Sequence, residues 1–213
     1  MILVKKLAFF LFCICFLSEN TFSQIFEGKI VYQNTYTSKI PNVPDDQFNA
    51  MMGNTQEYLI KGGNYKSSTN GTMMQWQLYR SDDNRLYMKM SNSPIILWLD
   101  GAENRDEVLK SEINKGVETI AGYLCDELVL TCKTGVQKYY FNSRLKVDPK
   151  LFEQHKFGNW SEVISRSESL PLKISVETTQ FTVESVATEV RSMELSSKEF
   201  ELPEGSQLQK SPY

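Results

Sequence analysis

The sequence has a single histidine, His155, in 213 residues, and that scarcity removes most acid–base chemistry at the outset. A Ser-His-Asp or Cys-His arrangement would have to use it. Its neighbours Glu153, Gln154 and Lys156 place it on a short amphipathic helix, where a solvated surface residue is expected. There is no Gly-x-Ser-x-Gly elbow, no His-Glu-x-x-His pair and no phosphate-cradling glycine loop. The acidic pairs Asp45-Asp46 and Asp82-Asp83 read as a helix start and a turn rather than as calcium ligands or a catalytic dyad. No enzyme activity, metal or cofactor is expected.

Other absences bound the partners. The formal net charge is -3 and no run of lysine or arginine occurs, so the footprint of a nucleic-acid binder is missing. So is the polybasic patch that would hold the chain on anionic lipid, which leaves peripheral membrane contact at most. No apolar run reaches the roughly 20 residues of a spanning helix. Of four cysteines, Cys13 and Cys15 fall in the N-terminal apolar run, where Phe12 and Ile14 stand in place of the small residue a lipid-anchored cysteine needs before it. Cys125 and Cys132, seven apart in one expected strand, lie roughly 23 Å apart at about 3.3 Å per residue. A disulfide spans only about 7 Å, so two unpaired thiols are expected.

What is present begins with a leader. Lys5 and Lys6 precede an apolar run over residues 7–17, and Thr21 and Ser23 flank Phe22, the pattern of a secretory signal peptide cleaved after Ser23. Residues 24–213 then form a single monomeric domain of 21 basic and 25 acidic residues, once Lys5, Lys6 and Glu19 are removed.

The organising stretch is residues 119–141, read as a β-hairpin turning at Lys133-Thr134-Gly135. Before it, a strand over residues 26–36 puts Ile30, Tyr32 and Tyr36 on one face. A two-turn helix follows, with Pro44 at its start, Gly53 at its stop, and Phe48, Met51 and Met52 on one side. Residues 56–100 read as a meander with turns at Gly62-Gly63-Asn64, Asn70-Gly71, Ser81-Asp82-Asp83-Asn84 and Asn92-Ser93-Pro94. Within it Met74, Trp76 and Leu78 alternate on one face, as do Leu86, Met88 and Met90, and then Ile95, Leu97 and Leu99. Trp98 and Ile96 suggest that the last of these strands is covered on both sides. Residues 101–116 read as a loop leading into an edge strand. Asp148 caps a helix beginning at Pro149, and Asn159 caps another with Glu162 in a capping box. A final pair of strands carries Leu172, Ile174 and Val176, then Phe181 and Val183, with a phase change that places a β-bulge near Glu184-Ser185.

The expected fold is mainly β (α+β): a strongly curved antiparallel sheet forming a half-open barrel, with short helices covering the concave face. Its soft apolar side chains, Phe48, Met51, Met52, Met74, Trp76, Met88 and Met90, are the candidate ligand-binding residues.

Four segments carry a resemblance. Phe26-Glu27-Gly28-Lys29-Ile30-Val31-Tyr32, Thr119-Ile120-Ala121-Gly122-Tyr123-x-Cys125, Ser169-Leu170-Pro171-Leu172 and Phe200-x-Leu202-Pro203-x-Gly205 look like the secreted bacterial envelope family catalogued as domain of unknown function 4412. That family is similar in turn to the half-barrel lipoprotein carriers of the Gram-negative periplasm. The resemblance implies an envelope address and, through the fold, a lipid, acyl chain or other apolar ligand. The rival expectation is a docking module for another envelope protein, with a filled interior.

Overall fold

A computed structural model describes residues 25–212; the leader and its cleavage site lie outside the described residues. In chain order the elements are β1 (Gly28–Ser38), α1 (Asp45–Met52), β2 (Thr55–Lys61), β3 (Asn64–Thr69), β4 (Met74–Arg80), β5 (Arg85–Met90) and β6 (Ile96–Asp100). They continue with β7 (Val108–Ile120), β8 (Tyr123–Cys132), β9 (Val136–Lys146), α2 (Trp160–Ser167), β10 (Ser169–Glu177), β11 (Phe181–Ser192) and β12 (Leu208–Lys210). All twelve strands form one sheet in the order β12-β6-β5-β4-β3-β2-β1-β11-β10-β9-β8-β7. Every neighbouring pair is antiparallel except β12 beside β6. β7 and β12 are free edges, so the sheet is not closed.

The expected turns punctuate the meander. The organising stretch forms β8 and β9, joined where the Cys132 N–H donates to the Gly135 carbonyl at 2.9 Å. Gly135 also brings the backbone against β10, since a Cβ there would lie 2.6 Å from the Glu177 oxygen. At the preceding hairpin, between β7 and β8, Ala121 and Gly122 both have positive φ, 48° and 83°. Two such residues in a row make the tight turn whose twist matches paired strands. The Ile120 and Cys125 side chains on either side of it are buried.

Register sorts the side chains into two faces. On one lie Ile30, Tyr32, Asn34 and Tyr36 of β1, Tyr58 and Ile60 of β2, Tyr65 and Ser67 of β3, Tyr79 of β4, Leu86 of β5 and Leu99 of β6. Both α-helices pack here. Phe48 of α1 meets the rings of Tyr36 and Phe181 at 5.7 and 5.4 Å, and α2 buries Ile164 in the main core and Val163 against Leu128, Leu130 and Tyr139. The opposite face of β4–β6 is covered by the C-terminal segment, a strap in which Leu195 and Phe200 pack on Leu78, Tyr87 and Ile96. Trp98 sits under Arg85 at 4.0 Å and Lys210 at 5.7 Å. The expectation that the Ile96–Trp98 strand is covered on both sides therefore holds.

Several expectations are corrected. Trp76 and Leu78 do not share a face with Leu86, Met88 and Met90: Gln77 pairs with Met88 and Leu78 with Tyr87, which puts Trp76 and Leu78 under the strap. Only Met74 faces with Met90, because a register shift separates Met74 from Trp76. The bulge in β11 falls at Thr188, between the pairs Val31–Glu189 and Tyr32–Ala187. Alternation runs unbroken through Ser185, a buried serine that pattern reading takes for surface. Half of the expected loop over residues 101–116 is strand, since β7 starts at Val108 and bulges again between Asn114 and Glu118.

The helical excursion differs most. Asp148 caps as expected, accepting from the Lys150 N–H at 3.0 Å, but only a 3₁₀ turn (Pro149–Phe152) forms. The chain then turns inward and His155 is 1% exposed rather than solvated. Asn159 does stand at the N-terminus of α2, yet its φ of 64° aims its side chain away from the helix. It accepts from Asn104 Nδ2 at 2.8 Å instead, and no capping box forms.

Candidate functional site

Tyrosine is the residue that builds the interior of the helix face. Tyr58 stacks on Tyr65 with centroids 5.1 Å apart, Tyr65 stacks on Tyr79 at 5.4 Å, and Tyr32 meets Tyr58 edge-on at 6.4 Å. Such pairs form because four adjacent strands each place a tyrosine beside the next in the inward phase, and offset or edge contacts suit their quadrupoles. His155 joins the stack, 3.8 Å from Tyr79 and nearly parallel, with its Nε2 2.7 Å from the Tyr65 hydroxyl. Burial pushes its pKa down to about 3, so the ring is neutral. Burial raises the phenols of Tyr32, Tyr58 and Tyr65, which stay protonated.

Beside this stack, between the sheet and α2, lies a cavity of about 160 Å³. Its apolar wall is made by Tyr32, Tyr58, Tyr65, Trp160, Leu170 and Ile174. A polar arc of Gln56, Ser67, Gln77 and Ser185 completes it, and no charged side chain lines it. Gln56 Nε2 donates to Ser67 Oγ at 2.8 Å, and Asn34 Nδ2 donates to Gln56 Oε1 at 3.4 Å. Tyr32 donates its hydroxyl to the Pro171 carbonyl at 2.6 Å. The Tyr58 hydroxyl, the Trp160 indole N–H and Asn34 Oδ1 are buried and find no partner among the described residues. A buried group left unsatisfied costs about 1–3 kcal/mol, and Tyr58 and Trp160, which carry two of these groups, both line the cavity.

The residues expected to bind ligand lie elsewhere. Phe48 is buried in the core beneath α1. Met51, Met74 and Met90 come together at one rim, where the Met73 N–H donates to the Met51 carbonyl and the Ser91 N–H to the Met73 carbonyl, at 3.0 Å each. Met52 and Met88 are half-buried, the latter against the main core, and Trp76 is on the strap face with Lys66 5.9 Å above its ring. None of the seven lines the cavity. Nor is α1 a free flap: Asn49 Nδ2 donates to the Tyr36 carbonyl at 2.8 Å while its Oδ1 accepts from the Tyr36 N–H at 2.9 Å. The signal missed in the sequence is polar residues in the inward phase of consecutive strands. Asn34, Gln56, Ser67 and Gln77 share parity with Tyr32, Tyr58, Tyr65 and Tyr79.

No family model matches the chain, and no curated protein does. The likeness of the segment around Ile120-Ala121-Gly122-Tyr123-x-Cys125 to an envelope family stands on its residues alone. Among solved structures, that of PNGF-II in space group P21 is similar over 86% of this chain at 17% identity, with a TM-score of 0.46. This chain spans 31% of the length of that one, and a likeness of that size carries no argument.

Proposed function

We propose that this chain is an exported envelope protein that holds a small apolar ligand inside a half-open barrel, with no chemistry of its own. The single observation carrying this reading is the cavity under α2, where the Tyr58 hydroxyl and the Trp160 N–H lack protein partners. The open sheet with both α-helices on one face fits the half barrel, and the leader-like residues 1–23 together with the envelope-family resemblance support the address. The only histidine supports a non-catalytic role, because it is neutral, stacked and sealed in the core. Drug-sized ligands occupy about 300–1,000 Å³. A cavity of about 160 Å³ therefore narrows the reading from a whole acyl chain to a molecule of about one ring.

Native mass spectrometry of protein taken from the envelope fraction tests this. A bound small molecule is expected, on a chain whose N-terminus is Gln24; a bare chain sinks the carrier reading. A docking module is the second reading, favoured by one observation. The edge strand β7 exposes Leu109 at 60%, with Ile113 and Val117 also open to solvent, and Leu124 of the neighbouring β8 is exposed at 61%. A free sheet edge of this length, with apolar side chains among its charged ones, is a place for another chain to add a strand. A bare chain in the mass spectrum would move the weight to this edge.

A further inference from the structure

We infer that the ligand of this cavity is an uncharged ring compound carrying a hydrogen-bonding oxygen at its rim. The inference rests on the reading of the cavity as a ligand site and adds the chemistry that it selects. Size comes first: about 160 Å³ is close to the roughly 150 Å³ of an engineered cavity that takes up benzene. Shape follows from the wall, to which the stacked rings of Tyr58 and Tyr65 and the tilted Trp160, 6.1 Å from Tyr65, contribute aromatic surface.

Polarity follows from the unpartnered atoms. An indole N–H is a donor only, so whatever meets Trp160 there must accept a hydrogen bond. The Tyr58 hydroxyl can donate to the same kind of atom. An oxygen on the ligand can accept from either group. Charge is excluded by what is missing from the lining. An anion would find no lysine or arginine there, and a cation would find no carboxylate and would face the positive edge of the indole. An unpaired ion in such surroundings carries a heavy desolvation penalty. Aromatic walls alone do attract cations, so the cationic case must be tested directly.

Four fluorinated probes of nearly equal size separate these cases by ¹⁹F NMR titration of the purified protein: 4-fluorophenol, fluorobenzene, 4-fluorobenzoate and 4-fluorobenzylamine. The phenol should bind tightest, fluorobenzene about tenfold more weakly, and neither ion detectably. Tyr58→Phe, which keeps the ring and its stacking, should bring the phenol close to the level of fluorobenzene and leave fluorobenzene unchanged. If fluorobenzene binds as tightly as the phenol, or if Tyr58→Phe changes neither, the requirement for a polar rim is wrong while the apolar-ligand reading stands. If either ion binds as well as the phenol, neutrality is wrong. If none of the four binds, the cavity holds water only and the proposed function falls with the inference.

Discussion

Acidification from pH 7.5 to 5 should cost this protein about 2 kcal/mol of stability through one side chain. His155 is 1% exposed, lies against Tyr79 at 3.8 Å, and among the described residues has no carboxylate partner for its imidazolium form and no partner for its Nδ1. Burial lowers its pKa from 6.5 to about 3. Below pH 6.5 the unfolded chain therefore binds a proton that the native chain refuses until about pH 3, and stability falls as pH falls through that window. The full contribution is present above pH 6.5. Each pH unit below that value removes about 1.4 kcal/mol, so about 2 kcal/mol is gone by pH 5, a result that holds for any native pKa below about 5. The window is clean because the chain has no other histidine. Carboxylates such as Glu27, held below the usual range by the Leu195 N–H and by Lys61, lose their contribution at lower pH. Urea unfolding at pH 7.5, 6.5, 5.5 and 5.0 measures the slope, and His155→Phe should flatten it even if the variant is less stable throughout. A wild-type midpoint that does not move over this range, or an equal slope in the variant, would refute a buried neutral histidine.

Three further outcomes follow from the packing. Asn49→Ala removes both side-chain bonds between α1 and the Tyr36 backbone and should cost about 1–3 kcal/mol in urea unfolding; a change below about 0.5 kcal/mol would make α1 a loose flap. Cys125 and Cys132 are free and buried, and burial pushes the Cys132 thiol up to about 11, so native protein should resist maleimide while denatured, unreduced mature protein takes two labels. One or no label in the denatured state would reveal a disulfide that the strand geometry forbids. Phe200→Ala should cost about 3–5 kcal/mol in thermal or urea unfolding, because the ring fills the space over Leu78 and Tyr87; a loss under about 1 kcal/mol would mean that the strap is not part of the core.

Local rules acting over a few residues were enough for much of this architecture. Alternation in β1, the turn residues of the meander, the start and stop of α1, the hairpin around Gly135 and the unpaired thiols are all consequences of neighbours in sequence, and the sequence by itself determined them. It also determined that the fold is mainly β, since period-two patterns outnumber helical ones. What tertiary structure decided is which phase of each strand faces inward. In β4, Trp76 and Leu78 are more apolar than Gln77, yet the C-terminal strap offers Leu195 and Phe200 to that side and claims them. The inward phase is left to Gln77 and Tyr79. In the same way His155 reads as surface beside Glu153 and Lys156, until the 3₁₀ turn ends after one turn and carries its ring onto Tyr79. The candidate site was illegible for the same reason. Its walls come from six strands and a helix far apart in the chain, and its defining atoms, the Tyr58 hydroxyl and the Trp160 N–H, are unusual only in lacking partners, a property that exists only after every other side chain has been placed.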